Sequence, residues 1–306
     1  MDADLNEKLE GIRRGEVILL NLSHEKLGVE GIKSLSTALM NGNNKVTWLD
    51  LSGNEIGDDG VQSLSTALMN ENNKVTTLTL MYNNIGVEGV KSLSTALMNE
   101  NNKVTTLDLS GNEIGDDGVQ SLSTVLMTEN NKVRTLTLMY NNIGVEGGKS
   151  LSTALMNENN QMITLNLLGN EIGVDGARSL STALMDENNK VAELNLLKNN
   201  IGTPGLAALL KSLRFSLVSH LEIGYQRGLN DEVETRLGKF VRDFNLYIPS
   251  LVCLASVRTI PRIGAQSPHF RELSSDIFIR VVQTLGWFID YQETLRTLEE
   301  HVENGT

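Results

Sequence analysis

The chain repeats one pattern of apolar and polar positions every 29 residues. The copy that begins at Val46 reads VTWLDLSGNEIGDDGVQSLSTALMNENNK, and the copy that begins at Val75 reads VTTLTLMYNNIGVEGVKSLSTALMNENNK. A fixed period of this length indicates a stack of similar units, because one unit cannot bury its own apolar face. The same frame begins at five further positions: Val17, Val104, Val133, Met162 and Val191.

The first half of each copy predicts a short strand. In the copy that begins at Val104, the alternation of Leu107 and Leu109 with polar residues places both leucines towards a core. An asparagine follows at a fixed offset, where it can pair backbone groups that the bend after the strand leaves unpaired. We expect a structural row of these asparagines: Asn54, Asn83, Asn112, Asn141, Asn170 and Asn199.

The second half of each copy predicts a helix. Gly115 ends the strand segment, and we expect the acidic pair Asp116–Asp117 to cap the helix that follows. Apolar residues then recur at helical spacing, and the polar segment 128–132 turns the chain back towards the next strand. The apolar face of this helix comprises Val119, Leu122, Val125 and Leu126.

A second period is superimposed on the first. The copies from Val46 and Val104 carry DLSGNE after the strand leucine, and the copies from Val75 and Val133 carry TLMYNN. The full unit therefore has 58 residues.

The motif L-x-L-x-x-N-x-I-G followed by a helix resembles the leucine-rich repeat. The 29-residue period and the helix text GDDGVQSLSTAL resemble the ribonuclease-inhibitor subfamily. The resemblance implies an α/β horseshoe-shaped solenoid, with parallel strands on the concave side and helices on the convex side. It also implies inhibition of another protein by occlusion of its active site. Near-identical repeats with a single cysteine are similar, in addition, to effectors that intracellular bacteria deliver into host cells.

The departures from the period divide the chain into three parts. Residues 1–16 predict a helix that covers the open end of the first copy, residues 17–217 form the array, and residues 218–306 predict a degenerate last repeat and a helical C-terminal cap. Glu25 stands where the other copies carry asparagine, as expected of a partly exposed first copy.

Strand residues between the core leucines face the other side of the sheet, in columns that run from copy to copy. Exposed aromatic side chains dominate interface energies, and methionine adapts to the shape of a partner. We therefore predict a partner-binding surface on the concave side, in an acidic frame that includes Glu55, Glu113 and Glu171. The candidate residues are Trp48, Asp50, Met81, Tyr82, Asp108, Met139, Tyr140, Leu168, Leu197, Lys198 and Tyr225.

Composition and charge narrow the function further. The net charge of −12 disfavours nucleic acid and anionic membranes and favours a protein partner with a basic surface, such as an enzyme. The four histidines are scattered, Cys253 lies in an apolar run, and no phosphate-binding glycine loop occurs, so we expect no enzyme activity, no cofactor and no metal. One cysteine and no apolar leader favour a cytoplasmic protein, or one in a host cytosol if it is a translocated effector.

Three interpretations of the binding function stay open at this stage. The first is a monomer that forms a one-to-one complex and inhibits its partner. The second is an adaptor, because the segment SPHFRELSSDIFIRVVQTL is faintly similar to the opening of an F-box, which recruits a ubiquitin ligase. A bacterial effector that acts as a scaffold without inhibition is a further alternative.

Overall fold

The computed structural model describes residues 3–213 and 216–223, together with the isolated positions Lys239, Arg242 and Arg296. Eight strands and eight helices alternate along these residues. The predicted C-terminal helical cap lies almost entirely outside the described residues.

Each strand is three residues long, and its central residue is a buried leucine. In β4 (Thr106–Asp108), Leu107 is buried while the residues on either side of it are half-buried. The alternation therefore produces the expected division between a core side and an outward side. The other strands are β1 (Leu19–Asn21), β2 (Trp48–Asp50), β3 (Thr77–Thr79), β5 (Thr135–Thr137), β6 (Thr164–Asn166), β7 (Glu193–Asn195) and β8 (His220–Glu222).

The strands form one parallel sheet in chain order from β1 to β8. Residues of neighbouring strands pair one repeat apart, as Trp48 pairs with Thr77 and Thr77 with Thr106. Equivalent outward residues of successive repeats therefore lie side by side across the sheet, in the columns that the sequence predicts. The strand of the degenerate last repeat, predicted at the start of 218–306, is present as β8.

The helices lie on the core side of the sheet and pack on one another in chain order. In α5 (Gly115–Leu126), the predicted face of Val119, Leu122, Val125 and Leu126 is buried. A helix is about 10 Å wide and strands are about 4.8 Å apart, so the stack must curve with the strands inside. The other helices are α1 (Ala3–Arg14), α2 (Gly28–Leu39), α3 (Gly57–Leu68), α4 (Val87–Leu97), α6 (Val145–Leu155), α7 (Gly173–Leu184) and α8 (Gly202–Ser212). The fold is the predicted leucine-rich-repeat solenoid.

The asparagine row after the strands has the structural role expected of it. Asn112 accepts hydrogen bonds from the backbone N–H groups of Asn83 and Ile85, both at 3.0 Å. Its amide donates to the carbonyls of Leu80 and Leu109. Each such residue therefore satisfies backbone groups of two repeats inside the stack.

A second asparagine row, which the sequence reasoning missed, lies in the turn from helix to strand. Asn73 is buried, accepts from the N–H of Val75 and donates to the carbonyl of Leu68. Asn72 donates to the carbonyl of Met40 in the preceding repeat. The polar sequence of this segment predicts only a turn, but its asparagines also join neighbouring repeats, as the first row does.

The predicted role of the acidic pair as a cap for its own helix is wrong. Helix α5 has no side-chain cap at its N-terminus, and Asp116 lies in its first turn. The Asp116 carboxylate instead accepts from the N–H of Gly144 at 2.6 Å, at the start of the following helix. Asp58 accepts from Gly86 in the same way at 2.7 Å. The first acid of each pair therefore links two helices of the stack.

Helix α1 lies at the open end of the array and within the range predicted for a terminal helix. Leu5, Leu9 and Ile12 bury their side chains against the first repeat. Lys8 forms an ion pair with Glu25, the residue that replaces the row asparagine in the first copy. Glu25 is exposed there, because no earlier repeat covers it.

Candidate protein-binding surface

The first outward column of the sheet is apolar at its N-terminal end. Trp48 is half-buried and pairs in register with Leu19 of β1, which is 69% exposed. The threonines from Thr77 to Thr164 continue the column, and Glu193 and His220 end it. Trp48 is thus a large side chain on the inner face, beside an exposed leucine.

The second column contains the predicted acids Asp50 and Asp108, and each has a local role. The Asp50 carboxylate accepts from the N–H of Ser52 at 2.9 Å and from its hydroxyl at 2.6 Å. Asp108 makes the same pair of bonds with Ser110. One oxygen of each acid therefore fixes the turn after the strand. A contact with a partner by either acid stays a prediction.

The third column, which lies two residues after each strand, differs at two positions from the alternation that the sequence predicts. Ser52 and Ser110 are buried, and so they do not belong to the surface. The four large apolar residues of this column are half-buried and accessible: Met81, Met139, Leu168 and Leu197.

The fourth column, just beyond the strand ends, has the most unusual backbone of the inner side. Every residue in it has a positive φ, including Tyr82 at 53° and Tyr140 at 52°. From His24 to Gly169, the backbone N–H of each column residue donates to a carbonyl of the next repeat and so continues the hydrogen-bond ladder of the sheet. Tyr82, for example, donates to the carbonyl of Ser110 at 2.9 Å. The column therefore advances one step per repeat, in register with the strands. Its members are His24, Gly53, Tyr82, Gly111, Tyr140, Gly169 and Lys198.

The aromatic rings of this column lie over the glycines that alternate with them. A Cβ atom on Gly111 would be 2.3 Å from the ring of Tyr82, and one on Gly169 would be 2.3 Å from the ring of Tyr140. His24 covers Gly53 in the same way. Tyr82 is nevertheless 56% exposed and Tyr140 43% exposed. Each ring rests on its own chain with one side and presents the other to solvent.

Lys198 takes the place of a ring at the last step of the column and is exposed. A cleft of about 320 Å³ lies between it and Tyr140, with Asn142 and Glu171 at its rim. Such a volume is at the lower end of the range for ligand sites. Tyr225, the last candidate, lies outside the described residues.

A row in which glutamate alternates with asparagine from repeat to repeat runs beside the rings. Glu55, Glu113 and Glu171 are all exposed and occupy every second repeat. Asn84 and Asn142 occupy the repeats between them. This rim is acidic along most of the array, in agreement with the net charge of −12.

Among the described residues, no group of three or more histidine, cysteine, aspartate or glutamate side chains could hold a metal ion. Within that same portion, no helix has the length and apolar character needed to cross a membrane.

The family model described as Leucine Rich repeat matches six segments of the chain, at 42–65, 71–94, 100–123, 129–152, 159–181 and 187–210. Each segment begins in the turn before a strand and ends inside the following helix. Among curated proteins, none matches the chain. The matched repeat is generally a binding scaffold for proteins and not an enzyme fold.

Proposed function

We propose that this leucine-rich repeat protein binds a partner protein across the inner face of its sheet and inhibits the partner by covering its active site. One observation carries the proposal: large side chains of the type that dominates interfaces lie accessible in register on this face. The tryptophan, the methionines and the tyrosines of the columns described above form this continuous surface. We call it the inner-face surface, comprising Trp48, Met81, Tyr82, Met139, Tyr140, Leu168 and Leu197.

Charge supports a partner with a basic surface. The rim carries Glu55, Glu113 and Glu171, and each keeps an exposed carboxylate beside the inner-face surface. Charges of opposite sign on a partner would accelerate association and fix its orientation. The chain would act as a monomer in a one-to-one complex, since the solenoid offers a single continuous inner face.

The repeated helix text argues that the convex side is scaffold. The segment SLSTALMNENN is almost unchanged between copies, whereas the outward columns of the sheet differ from one repeat to the next. A surface that recognises an irregular partner requires such differences. Inhibition as the outcome of binding rests on the resemblance to the ribonuclease-inhibitor subfamily.

Affinity capture from the native cell, with wild-type protein and two variants, tests the binding surface. The inner-face variant carries Trp48→Ala and Met139→Ala. The control variant carries Met185→Ala, which removes a methionine that is 46% exposed at the end of helix α7. We expect one protein to be captured by the wild type and by the control, and lost with the inner-face variant. Capture by the inner-face variant at the wild-type level would contradict the proposal.

The activity of the captured partner then separates inhibition from recruitment. We expect its activity to fall in proportion to added protein and to reach its minimum at one equivalent. The adaptor alternative rests on residues 266–290, which lie outside the described residues. Full partner activity in the complex, together with capture of a ligase scaffold that requires this segment, would favour the adaptor.

A further inference from the structure

The fourth column forms a regular row of flat rings, which we call the ring row: His24, Tyr82 and Tyr140, separated by Gly53, Gly111 and Gly169. Its backbone is held in register by hydrogen bonds between repeats, such as those from Gly111 to Met139 and from Tyr140 to Leu168. The rings therefore recur at every second strand.

The two tyrosines occupy this row at a conformational cost. A positive φ is costly for a residue with a bulky side chain and free of strain for glycine. The neighbouring repeats show that glycine serves the same turn, at Gly53, Gly111 and Gly169. Residues with a strained backbone conformation are concentrated at binding sites, above all where glycine could adopt the same conformation without strain. The exposed sides of Tyr82 and Tyr140 are therefore best explained by contact with a ligand.

The spacing of the rings selects the conformation of that ligand. Neighbouring strands are about 4.8 Å apart, so successive rings are about 9.6 Å apart. A polyproline II helix rises about 3.1 Å per residue with three residues per turn, and so repeats one face every 9.3 Å or so. A β-strand repeats a face at about 6.7 Å, and an α-helix at about 10.5 Å over two turns. Across three rings the mismatch is roughly 0.6 Å for polyproline II and about 1.8 Å for the α-helix.

The charge beside the ring row has the same period. Glu55, Glu113 and Glu171 are exposed and occur in every second repeat, so their backbone positions are also spaced at about 9.6 Å. A polyproline II segment with a basic residue at every third position would present one cation to each of them. The row ends at Lys198, whose ammonium group would oppose a further basic residue.

We propose that the ring row binds a proline-rich segment of the partner in the polyproline II conformation, with proline on the rings and arginine or lysine towards the glutamates. Aromatic surfaces recognise such segments because the preformed extended helix loses little entropy on binding. This inference rests on the proposed function, and it specifies the part of the partner that the inner side recognises.

Titration of the full-length protein with synthetic peptides tests the inference. The probe is a twelve-residue peptide of four Pro-Pro-Arg units, and its comparison peptide has the same composition with irregularly placed arginines. We expect the regular peptide to bind about tenfold or more tightly than the irregular one. Equal affinity of the two peptides, or binding of neither, would overturn the inference.

The chain supplies a variant that removes the rings without disturbing the turn. Tyr82→Gly with Tyr140→Gly introduces the residue that the alternate repeats carry at the same backbone conformation. We expect this variant to remain folded by circular dichroism and to lose affinity for the regular peptide by roughly tenfold or more. Unchanged affinity would overturn the inference.

The carboxylates are tested by Glu113→Gln with Glu171→Gln. We expect weaker peptide binding and a smaller dependence of affinity on salt, because two ion pairs are removed. The matched control is Glu71→Gln with Glu100→Gln, two exposed glutamates in the turns at the opposite ends of the strands, which should leave binding unchanged. Equal effects of the two double variants would contradict the assignment.

The failure of this inference can be separated from the failure of the proposed function. If the inner-face variant releases the captured partner while no peptide binds the ring row, the inner face still binds protein and the polyproline II inference is wrong. If the regular peptide binds through the rings but the partner is retained by the inner-face variant, the ring row is a peptide site and the wider inner-face proposal is wrong.

Discussion

At the third residue after each strand from β1 to β6, the chain alternates between a planar ring and glycine, and each depends on the other. Gly111 has a φ of 66°, and the ring of Tyr82 occupies the space that a side chain on Gly111 would need. Two separate physical reasons therefore require glycine at this position. They also explain why neighbouring repeats cannot both carry a ring here.

Gly111→Ala tests this dependence. We expect a loss of about 1–3 kcal/mol in the free energy of unfolding, from the left-handed backbone and from displacement of the Tyr82 ring. Removing the ring with Tyr82→Gly should restore part of the loss. Gly42→Ala is the control, because nothing lies within 4 Å of its Cβ position. Chemical denaturation gives the free energy of unfolding of the wild type, the two alanine variants and the double variant. Equal stability of the two alanine variants would contradict the account.

The sequence alone predicts some residues of this surface better than others. The asparagine row follows directly from its period, because a buried amide at a fixed offset after a strand has few other roles. The contact between Tyr82 and Gly111 could not be predicted, since it depends on the direction that a left-handed backbone gives a side chain. The burial of Ser52 and Ser110 was not predictable either: each short hydroxyl side chain donates to the aspartate two residues before it, whereas the longer Met81 at the same position stays accessible.

At the scale of the element, carboxylates link the N-terminal ends of two pairs of neighbouring helices, α3 with α4 and α5 with α6. Asp58 accepts from the N–H of Gly86, and Asp116 from the N–H of Gly144, where helices α4 and α6 begin. An acid at a helix N-terminus satisfies a free donor and complements the helix dipole. The 58-residue period thus has a structural meaning, since a GDDG copy caps the copy that follows it.

Asp116→Ala should lower the free energy of unfolding by about 0.5–2 kcal/mol, as for the loss of a helix cap. The matched control is Asp117→Ala, which removes an exposed acid from the same first turn of helix α5. We expect the control to change stability by less than about 0.5 kcal/mol. Thermal or chemical unfolding distinguishes the two, and a larger effect at Asp117 would show that the contact with Gly144 is unimportant.

The helices themselves were predictable from the sequence, but the role of their first acids was not. The local sequence, an acid beside a glycine at a helix start, predicts a cap for that same helix. The stack offers the acid a second donor, because the N–H of Gly144 at the start of the next helix lies against the Asp116 carboxylate. Only the packing of one repeat on another reveals which of the two helices the acid serves.

At the scale of the whole molecule, the array has the properties of a one-dimensional stack. Each helix packs on its neighbours in chain order, and each strand pairs with the next. Stability in such an array is a sum of repeat and interface contributions. The sequence period is sufficient to predict this architecture, whereas the chain after the degenerate last strand lacks a period and could be interpreted only as helical.

Deletion of residues 75–132 tests the modular character of the stack. The cut removes one complete 58-residue unit and joins Lys74 to Val133, a junction that preserves the repeat frame. We expect the shortened protein to unfold cooperatively, with a lower melting temperature because one unit of interface is lost. Deletion of residues 75–117 is the control, because it joins Lys74, in the turn after helix α3, to Gly118 inside helix α5 and so breaks the repeat frame. Cooperative unfolding of both shortened proteins would contradict the repeat-by-repeat account.

Recognition by the inner side of the solenoid is the central claim, and oxidative footprinting measures it most directly. Hydroxyl radicals modify accessible tryptophan, tyrosine and methionine side chains, which this surface supplies. In the presence of the captured partner, we expect oxidation of Trp48, Tyr82 and Tyr140 to fall severalfold, while Met185 on the helical side reacts as in the free protein. Protection of Met185, with unchanged oxidation of Trp48 and both tyrosines, would contradict the account.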